Sequence, residues 1–174
     1  MRLKDKKIAV LLAEGFEDLE FWVTVMRLQE EGAEVTIVGT AAGQTVHGKN
    51  GLEATSAVAA EAVSAADFEA IAVPGGWAPD KLRRYPAVTS LVRQIYQQGK
   101  IVGLICHAGL VGISANIVQG HRATGSLGIK DDLVNAGATW VDEPAFRDGN
   151  LVWGRVVADI PAFCRELVTA IETG

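Results

Sequence analysis

Short apolar runs of strand length alternate with segments of helical periodicity along this chain. The runs that read as buried strands are residues 8–13, 34–38, 70–73 and 101–105. Between them, apolar residues recur at helical spacing, as in Leu19, Trp22, Val23 and Met26, and in Val88, Leu91, Val92 and Ile95. This alternation predicts an α/β fold, a doubly wound and mainly parallel sheet sandwiched by helices. Ligands of such sheets bind at the carboxyl ends of the strands.

The remaining segments complete one domain of residues 1–174. We expect a hairpin over residues 43–54, a helix over 108–118, a short strand over 122–124, a helix over 129–135 and a hairpin over 146–152. A last helix follows, with Asp159 at its cap and Pro161 in its first turn. Its apolar face is Phe163, Leu167, Ala170 and Ile171.

Composition excludes several functional classes. A net charge of −5 leaves no basic face for nucleic acid. No apolar run approaches the roughly 20 residues of a membrane helix, and the basic N-terminus leads into a strand and not a signal peptide. Two cysteines without a secretion signal indicate a reducing, cytoplasmic location without a disulfide. The three histidines lack metal-site spacing, so we expect no metal and no cofactor.

The segment G-L-I-C-H-A-G, residues 103–109, contains the strongest candidate for catalysis. Cys106 stands where an apolar strand turns into a helix, which is the arrangement of a nucleophile elbow. A thiol at a helix N-terminus faces unpaired backbone N–H groups, so we predict a lowered thiol pKa and a nucleophilic Cys106. The adjacent His107 is a candidate proton carrier, although it could equally pack or bond a carboxylate.

Two acids and a glycine pair occupy neighbouring strand ends. Glu17 follows the first strand and Asp80 follows the turn of Gly75 and Gly76, and each also fits an ordinary surface role. We predict that the glycine N–H groups, together with the N–H of His107, bind a developing oxyanion.

Five motifs occur in order along nearly the whole chain. They are A-E-G-F-E-D-L-E, A-V-P-G-G-W-A-P-D-K-L-R, L-I-C-H-A-G, S-L-G-I-K-D-D-L-V-N-A-G-A-T-W-V-D-E and D-G-N-L-V. With these motifs the chain resembles the ThiJ/PfpI superfamily, specifically its intracellular protease I (PfpI-like) branch.

The resemblance implies a flavodoxin-like fold and assigns the site residues. It implies that Cys106 is the elbow nucleophile, hydrogen-bonded by Glu17. It also implies that His107 is oriented by Asp80 of a neighbouring subunit. The protein would then be a homo-oligomer, at least a dimer and in many protease I relatives a hexameric ring.

The sequence departs from this family pattern in three places. Relatives usually read C-H-G-P where this chain has Cys-His-Ala-Gly, and T-S-Y or T-S-W where it has residues 124–126. Residues 156–163 lack the usual K-P-D-D. An aromatic wall and a local charge are therefore missing. Trp77 either refills part of that wall or lies at a subunit contact.

The leading functional hypothesis is covalent catalysis by Cys106 on small carbonyl electrophiles or their adducts on proteins, of the glyoxalase or deglycase type. The peptidase label of the family is a rival reading. An alternative class is a redox-sensing stress-response or chaperone protein that uses the same cysteine. A hydratase-like reaction is a third alternative.

Other chemically reactive residues are expected to be structural. Cys164 lies in helical phase with Leu167, which predicts core packing. His47 and His121 lack spaced partners. The charges of residues 130–132 indicate a solvated helix face.

Overall fold

The apolar runs form the strands of a central sheet. In the computed structural model, which describes residues 1–174, the strands are β1 (Lys7–Leu11), β2 (Glu34–Gly39), β3 (Thr45–His47), β4 (Glu53–Thr55), β5 (Val58–Ala59), β6 (Ala70–Val73), β7 (Ile101–Ile105), β8 (Arg122–Ala123), β9 (Thr139–Trp140), β10 (Ala145–Asp148) and β11 (Leu151–Gly154). Seven of them form one sheet in the order β10-β11-β7-β6-β1-β2-β5. All neighbours in it are parallel except the β10–β11 hairpin.

Six helices flank this sheet. They are α1 (Asp18–Glu30), α2 (Ala78–Leu82), α3 (Pro86–Gln97), α4 (Gly109–Ser114), α5 (Lys130–Asn135) and α6 (Ile160–Thr173). Helix α1 packs against α6, whereas α2 and α3 pack against α4, so two helical layers enclose the strands. The doubly wound, flavodoxin-like α/β fold predicted from the sequence is therefore confirmed. No helix is both long enough and apolar enough to cross a bilayer.

Helix α1 forms where the periodicity predicts it, but a different face is buried. Leu19, Val23 and Met26 are exposed, Met26 by 59%. The buried apolar residues of α1 are Phe21, Val25 and Leu28. The helix carries apolar side chains on both sides, and its direction against the sheet is set by Phe21, whose ring packs 5.0 Å from that of Phe16. The face chosen from spacing alone is wrong.

Three smaller expectations also need correction. The helix predicted over 108–118 begins at Gly109 and ends at Ser114, because Asn116 takes a left-handed conformation with φ 57°. Strand β8 pairs with β9 outside the main sheet. Asp159 occupies the cap position of α6 without capping it, since its carboxylate accepts from Arg155 Nε at 2.9 Å. The predicted hairpin of residues 43–54 is present as β3 and β4.

The neighbouring strands β7, β6 and β1 are parallel and end on the same edge of the sheet. The segments that follow them are residues 106–109, 74–77 and 12–17. Because parallel strands bring their carboxyl ends together, these three segments meet and form the site described next.

Candidate active site

Cys106 is held in a strained conformation directly after β7. Its φ is 60°, in the left-handed region that non-glycine residues seldom occupy. A single 3₁₀ turn, Cys106–Ala108, joins it to α4. The Cys106 carbonyl accepts from the N–H of Ser126 at 3.0 Å, and Gly125 approaches it so closely that a Cβ there would lie 2.5 Å from the oxygen. These contacts fix the abrupt turn and leave the side chain partly exposed.

The carboxyl group beside the thiol belongs to Glu20. A Cβ on Gly75 would lie 2.5 Å from Glu20 Oε2 and 2.8 Å from Cys106 Cβ, so both side chains flank the same glycine. Glu20 is fully buried, and its Oε2 accepts from the N–H of Gly75 at 2.7 Å. Its Oε1 is buried without a hydrogen-bond partner among the N and O groups of the protein. This leaves Oε1 available for the neighbouring sulfur.

The sequence prediction that Glu17 bonds the thiol is wrong. Glu17 is the N-cap of α1, and its Oε2 accepts from the N–H groups of Leu19 and Glu20, each at 2.9 Å. An acid that begins a helix bonds the free N–H groups of the first turn and cannot also reach the next strand end. The sequence did contain the right signal, because Glu20 lies in helical phase with the buried Thr24 and Leu28.

The thiol and carboxyl groups titrate as a pair. Burial raises the pKa of Glu20 to about 7, and the Glu17 carboxylate adds to the increase. Burial and the Glu20 carboxylate raise the pKa of the Cys106 thiol to about 12. The predicted lowering of the thiol pKa is therefore wrong while Glu20 is ionised. Of the two groups Glu20 loses its proton first, and its negative charge then holds the proton on the thiol.

Backbone N–H groups of two residues face the sulfur. Those of His107 and Gly76 bond Cys106 and act to lower its pKa. The N–H of Gly75 is occupied by Glu20, so of the two glycines only Gly76 has an N–H directed at the sulfur. Gly76 has φ 77°, and a Cβ there would lie 2.4 Å from the Gly15 carbonyl oxygen. Only glycine fits this close approach.

His107 lies beside the thiol and is half-buried. Its Nδ1 is 3.4 Å from Cys106 Sγ. Burial and the positive charge of Lys49 lower the pKa of His107, which favours a neutral imidazole at pH 7. Cys106 is its only side-chain hydrogen-bond partner within the chain, so no carboxylate of the same chain orients it.

Asp80 and Trp77 lie outside this group, at the surface. The Asp80 side chain is 58% exposed on α2 and forms an ion pair with Arg84 on the same helix. It is not brought to His107 within the chain. Trp77 is 64% exposed, and its ring covers Gly15. The indole forms one wall of the cavity over Cys106.

A cavity of about 360 Å³ opens above the sulfur. Its lining residues are Lys49, Gly76, Trp77, Cys106, His107, Ser126, Val156, Val157 and Ala158. Ser126 and residues 156–158 lie in two of the segments where the sequence departs from the family pattern. Lys49 was not predicted, because it comes from the β3–β4 hairpin, remote in sequence from Cys106, and no local pattern marks it.

The other reactive side chains lie away from this cavity. Cys164 is 4% exposed, and its Sγ is 3.9 Å from Thr24 Oγ1. His121 lies between Tyr96 Oη at 2.7 Å and Asp148 Oδ2 at 2.8 Å. His47 pairs with Glu53 on the β3–β4 hairpin.

The sequence is similar to curated proteins over nearly its whole length. Deglycase PH1704 of Pyrococcus horikoshii is 39% identical over 166 residues, which cover 95% of this chain and 99% of that protein. General stress protein 18 of Bacillus subtilis is 38% identical over 169 residues, 96% of this chain and 98% of that protein.

The fold is similar to solved structures as well. A two-domain protein of Anabaena variabilis, with DJ-1/ThiJ/PfpI-like and ferritin-like domains, superposes with a TM-score of 0.93 at 35% identity. The match covers 95% of this chain and 48% of that protein, so this chain spans about half its length. The model of the DJ-1/PfpI family matches residues 6–170. This chain belongs to the DJ-1/PfpI family.

Proposed function

We propose that this protein is a cofactor-free enzyme of the glyoxalase or deglycase type, in which Cys106 attacks small carbonyl electrophiles such as methylglyoxal. The observation that carries the proposal is a strained elbow cysteine that opens into a cavity between two backbone N–H donors and a buried carboxyl group. The 39% identity to a relative named a deglycase supports the same chemistry.

The nucleophile is generated within the Glu20–Cys106 pair. Since the pKa of Glu20 is raised to about 7, its carboxyl group retains a proton in much of the protein at neutral pH. A protonated Glu20 removes the negative charge that opposes thiolate formation, and its Oε1–H donates to the sulfur. The N–H groups of His107 and Gly76 then stabilise the thiolate.

The reaction on methylglyoxal follows from this arrangement. The thiolate adds to the aldehyde carbon, and the resulting oxyanion accepts from the N–H groups of Gly76 and His107. The His107 imidazole removes the proton from that carbon and returns it to the adjacent carbon of the enediolate, which gives a lactate thioester. Water cleaves the thioester and releases lactate and the thiol. In sum, methylglyoxal and one water become lactate.

The size of the cavity favours a small substrate. About 360 Å³ lies at the lower end of the range for ligand pockets and accommodates one compact molecule. An extended peptide needs a longer groove with strand-like backbone partners. The cavity therefore supports an aldehyde or a compact adduct over a peptide.

Asp80 completes the site only in an oligomer, in this proposal. His107 lacks a carboxylate partner in its own chain, and Asp80 is exposed outside the cavity. A histidine that carries protons works best when an acid orients it. Mixing inactive D80N and C106S proteins under subunit exchange should restore turnover, because one mixed site then has both groups. No recovery despite exchange would place Asp80 outside the reaction.

Turnover of methylglyoxal, measured as lactate formed, tests the proposal. Wild type should be active, C106S inactive, and H107A reduced about 100-fold. Equal rates in all three proteins would overturn the glyoxalase mechanism.

A redox-sensing role is the second candidate. The partly exposed Cys106 thiol lies beside a carboxyl group, and a relative 38% identical is named a general stress protein. Peroxide would transfer one oxygen atom to the sulfur and give sulfenic acid, and hydrogen peroxide would leave as one water or an organic hydroperoxide as its alcohol. The predicted reducing cytoplasm would restore the thiol. Oxidation needs no proton transfer by His107, so Cys106 of H107A should be oxidised at the wild-type rate. Inactivity of the wild type towards methylglyoxal would also favour this role.

A further inference from the structure

We propose that Lys49 forms an anion subsite in the Cys106 cavity, so that the preferred substrates are carbonyl compounds bearing a carboxylate or phosphate group. That the bound molecules are substrates rests on the proposed function. The anion subsite itself is a property of the cavity and does not depend on it. Lys49 is the only permanently charged residue of the lining. The remaining walls are neutral or apolar, from Trp77 and residues 156–158.

The ammonium group of Lys49 has no carboxylate partner. No ion pair of the protein includes it, and its side chain takes part in no hydrogen bond, in contrast to that of Lys100, which donates to the Ala65 carbonyl. Its charge nevertheless acts on the centre, since it adds to the lowering of the His107 pKa by burial and opposes the rise in the pKa of Glu20. An anion bound there would therefore lie within electrostatic range of the reacting groups.

The segment that carries Lys49 is held in place by a buried acid. Asp18 is 2% exposed, and its two oxygens accept from the N–H groups of Asn50 at 2.9 Å and Leu52 at 2.8 Å. Gly48 passes so close that a Cβ there would lie 2.4 Å from Asp18 Oδ1. The Lys49 N–H itself donates to the Phe16 carbonyl at 2.9 Å.

This anchoring keeps the backbone of Lys49 at a fixed position beside the cavity. Phe16 lies just before α1, and Asp18 and Glu20 both lie in its first turn. The backbone of Lys49 is thereby fixed relative to the sulfur by the same helix start. Fixing the backbone of Lys49 leaves only its side chain to be ordered on binding, which costs less conformational entropy than ordering a free loop as well.

The geometry predicts a selective preference. A molecule that fits 360 Å³ and places its carbonyl carbon at Sγ shares the cavity with Lys49, which is exposed and lines it together with Cys106. A negative charge on that molecule is attracted by Lys49, whereas a neutral molecule of equal size gains nothing from it. Carboxylate and phosphate share this chemistry.

Alkylation of Cys106 by a charge-matched pair of reagents tests the subsite without any turnover. Iodoacetate and iodoacetamide have similar size and the same leaving group, and they differ in one negative charge. The ratio of their rates cancels any change in thiol reactivity. We expect K49Q to lower the iodoacetate-to-iodoacetamide ratio about 10-fold, and added salt to lower it in wild type but not in K49Q.

Two matched variants control for charge and length. K49R keeps the cation and should retain the wild-type ratio. K4Q changes the net charge as K49Q does, but at an exposed position before β1, at the opposite end of the strands. An equal ratio in wild type and K49Q, or an equal loss in K4Q, would overturn the proposal. Failure of methylglyoxal turnover alone would affect only the proposed function.

Binding of simple anions gives an independent measurement and separates the two anion types. Titration of the His107 imidazole by NMR, assigned with H107A, should show a higher pKa in K49Q than in wild type. Inorganic phosphate or acetate should raise the pKa of His107 in wild type by neutralising the charge of Lys49. The anion that gives the larger increase at equal concentration shows whether the subsite prefers a phosphate or a carboxylate group. No effect of either anion would contradict the subsite.

Discussion

The two cysteines of this chain differ both in exposure and in what surrounds them, because Cys106 is partly exposed and Cys164 is buried. Burial raises the pKa of both thiols. Cys164 lies within a regular helix, packed in the core beside Thr24. Cys106 has a left-handed backbone, two N–H groups directed at its sulfur and a cavity above it. The two thiols therefore differ in backbone geometry, in the N–H groups that face the sulfur and in access, which are the properties on which thiol reactivity depends.

The largest expected difference between the two thiols is in their alkylation. In the native protein, iodoacetamide should modify Cys106 at least about 100-fold faster than Cys164, because the buried helix position becomes accessible only on unfolding. Peptide mass spectrometry over a time course measures both rates in one sample. Equal rates in the native protein would contradict the distinction between the two thiols. In urea, where the protein is unfolded, we expect the two rates to become equal.

A second difference between the two thiols is the titratable carboxyl group of Glu20, which lies beside Cys106 and not beside Cys164. The folded-state pKa of Glu20 is about 7, above the ordinary glutamate value of 4.5, so the folded protein binds the extra proton and its stability falls as pH rises between these values. E20Q removes this loss. We expect its free energy of unfolding, relative to wild type, to increase by about 3 kcal/mol from pH 4.5 to pH 8.

Urea unfolding at several pH values measures that effect. C106A is the matched control and should keep most of the wild-type pH slope, because burial is the main cause of the raised pKa of Glu20. Parallel stability curves for wild type and E20Q would show that Glu20 is not the buried titrating group.

Substitution of two glycines tests the surroundings of Cys106 and the packing of α6, which carries Cys164, separately. G75A places a methyl group against Glu20 and Cys106, and should lower turnover about 10-fold through misplacement of the sulfur. G103A places a methyl group 2.9 Å from Leu167 Cδ1 under α6, and should cost about 1–3 kcal/mol of stability with little loss of turnover. Lactate assays and urea unfolding on both variants measure the two effects. The reverse pattern would contradict the assignment of the regions.

The smallest expected effect is that of C164A. Removal of one buried sulfur leaves a small cavity and should cost about 1 kcal/mol of unfolding free energy, with turnover within about 2-fold of wild type. Urea unfolding and the lactate assay check both values. A loss of turnover comparable to that of C106S would mean that the α6 thiol is part of the reaction.

Much of the fold could be predicted because the relevant patterns are local. The bounds of β6 and β7 follow directly from their apolar runs, and the buried face of α6 follows from its spacing. Helix α1 shows the limit, since it has two apolar faces and only packing against Phe16 decides which one is buried. Periodicity predicts the helix, but it does not indicate which of two similar apolar faces is buried.

The site was predicted in part for the same reason. Cys106 and His107 follow a strand end, and their placement is local. Glu17 and Glu20 are three residues apart, and which carboxyl group meets the thiol depends on where α1 begins. Lys49 and residues 156–158 join the cavity through long-range packing.

The sequence by itself determined an α/β fold with a cysteine at a strand-to-helix elbow, because strand runs, turn glycines and helix phase act over a few residues. Only the tertiary structure decided that Glu20 lies beside Cys106 and raises the pKa of its thiol, that the N–H of Gly75 is occupied, and that Lys49 lines the cavity. The physical reason is that charge, burial and hydrogen bonding at the sulfur depend on atoms from segments far apart in the chain, which folding alone brings within contact distance.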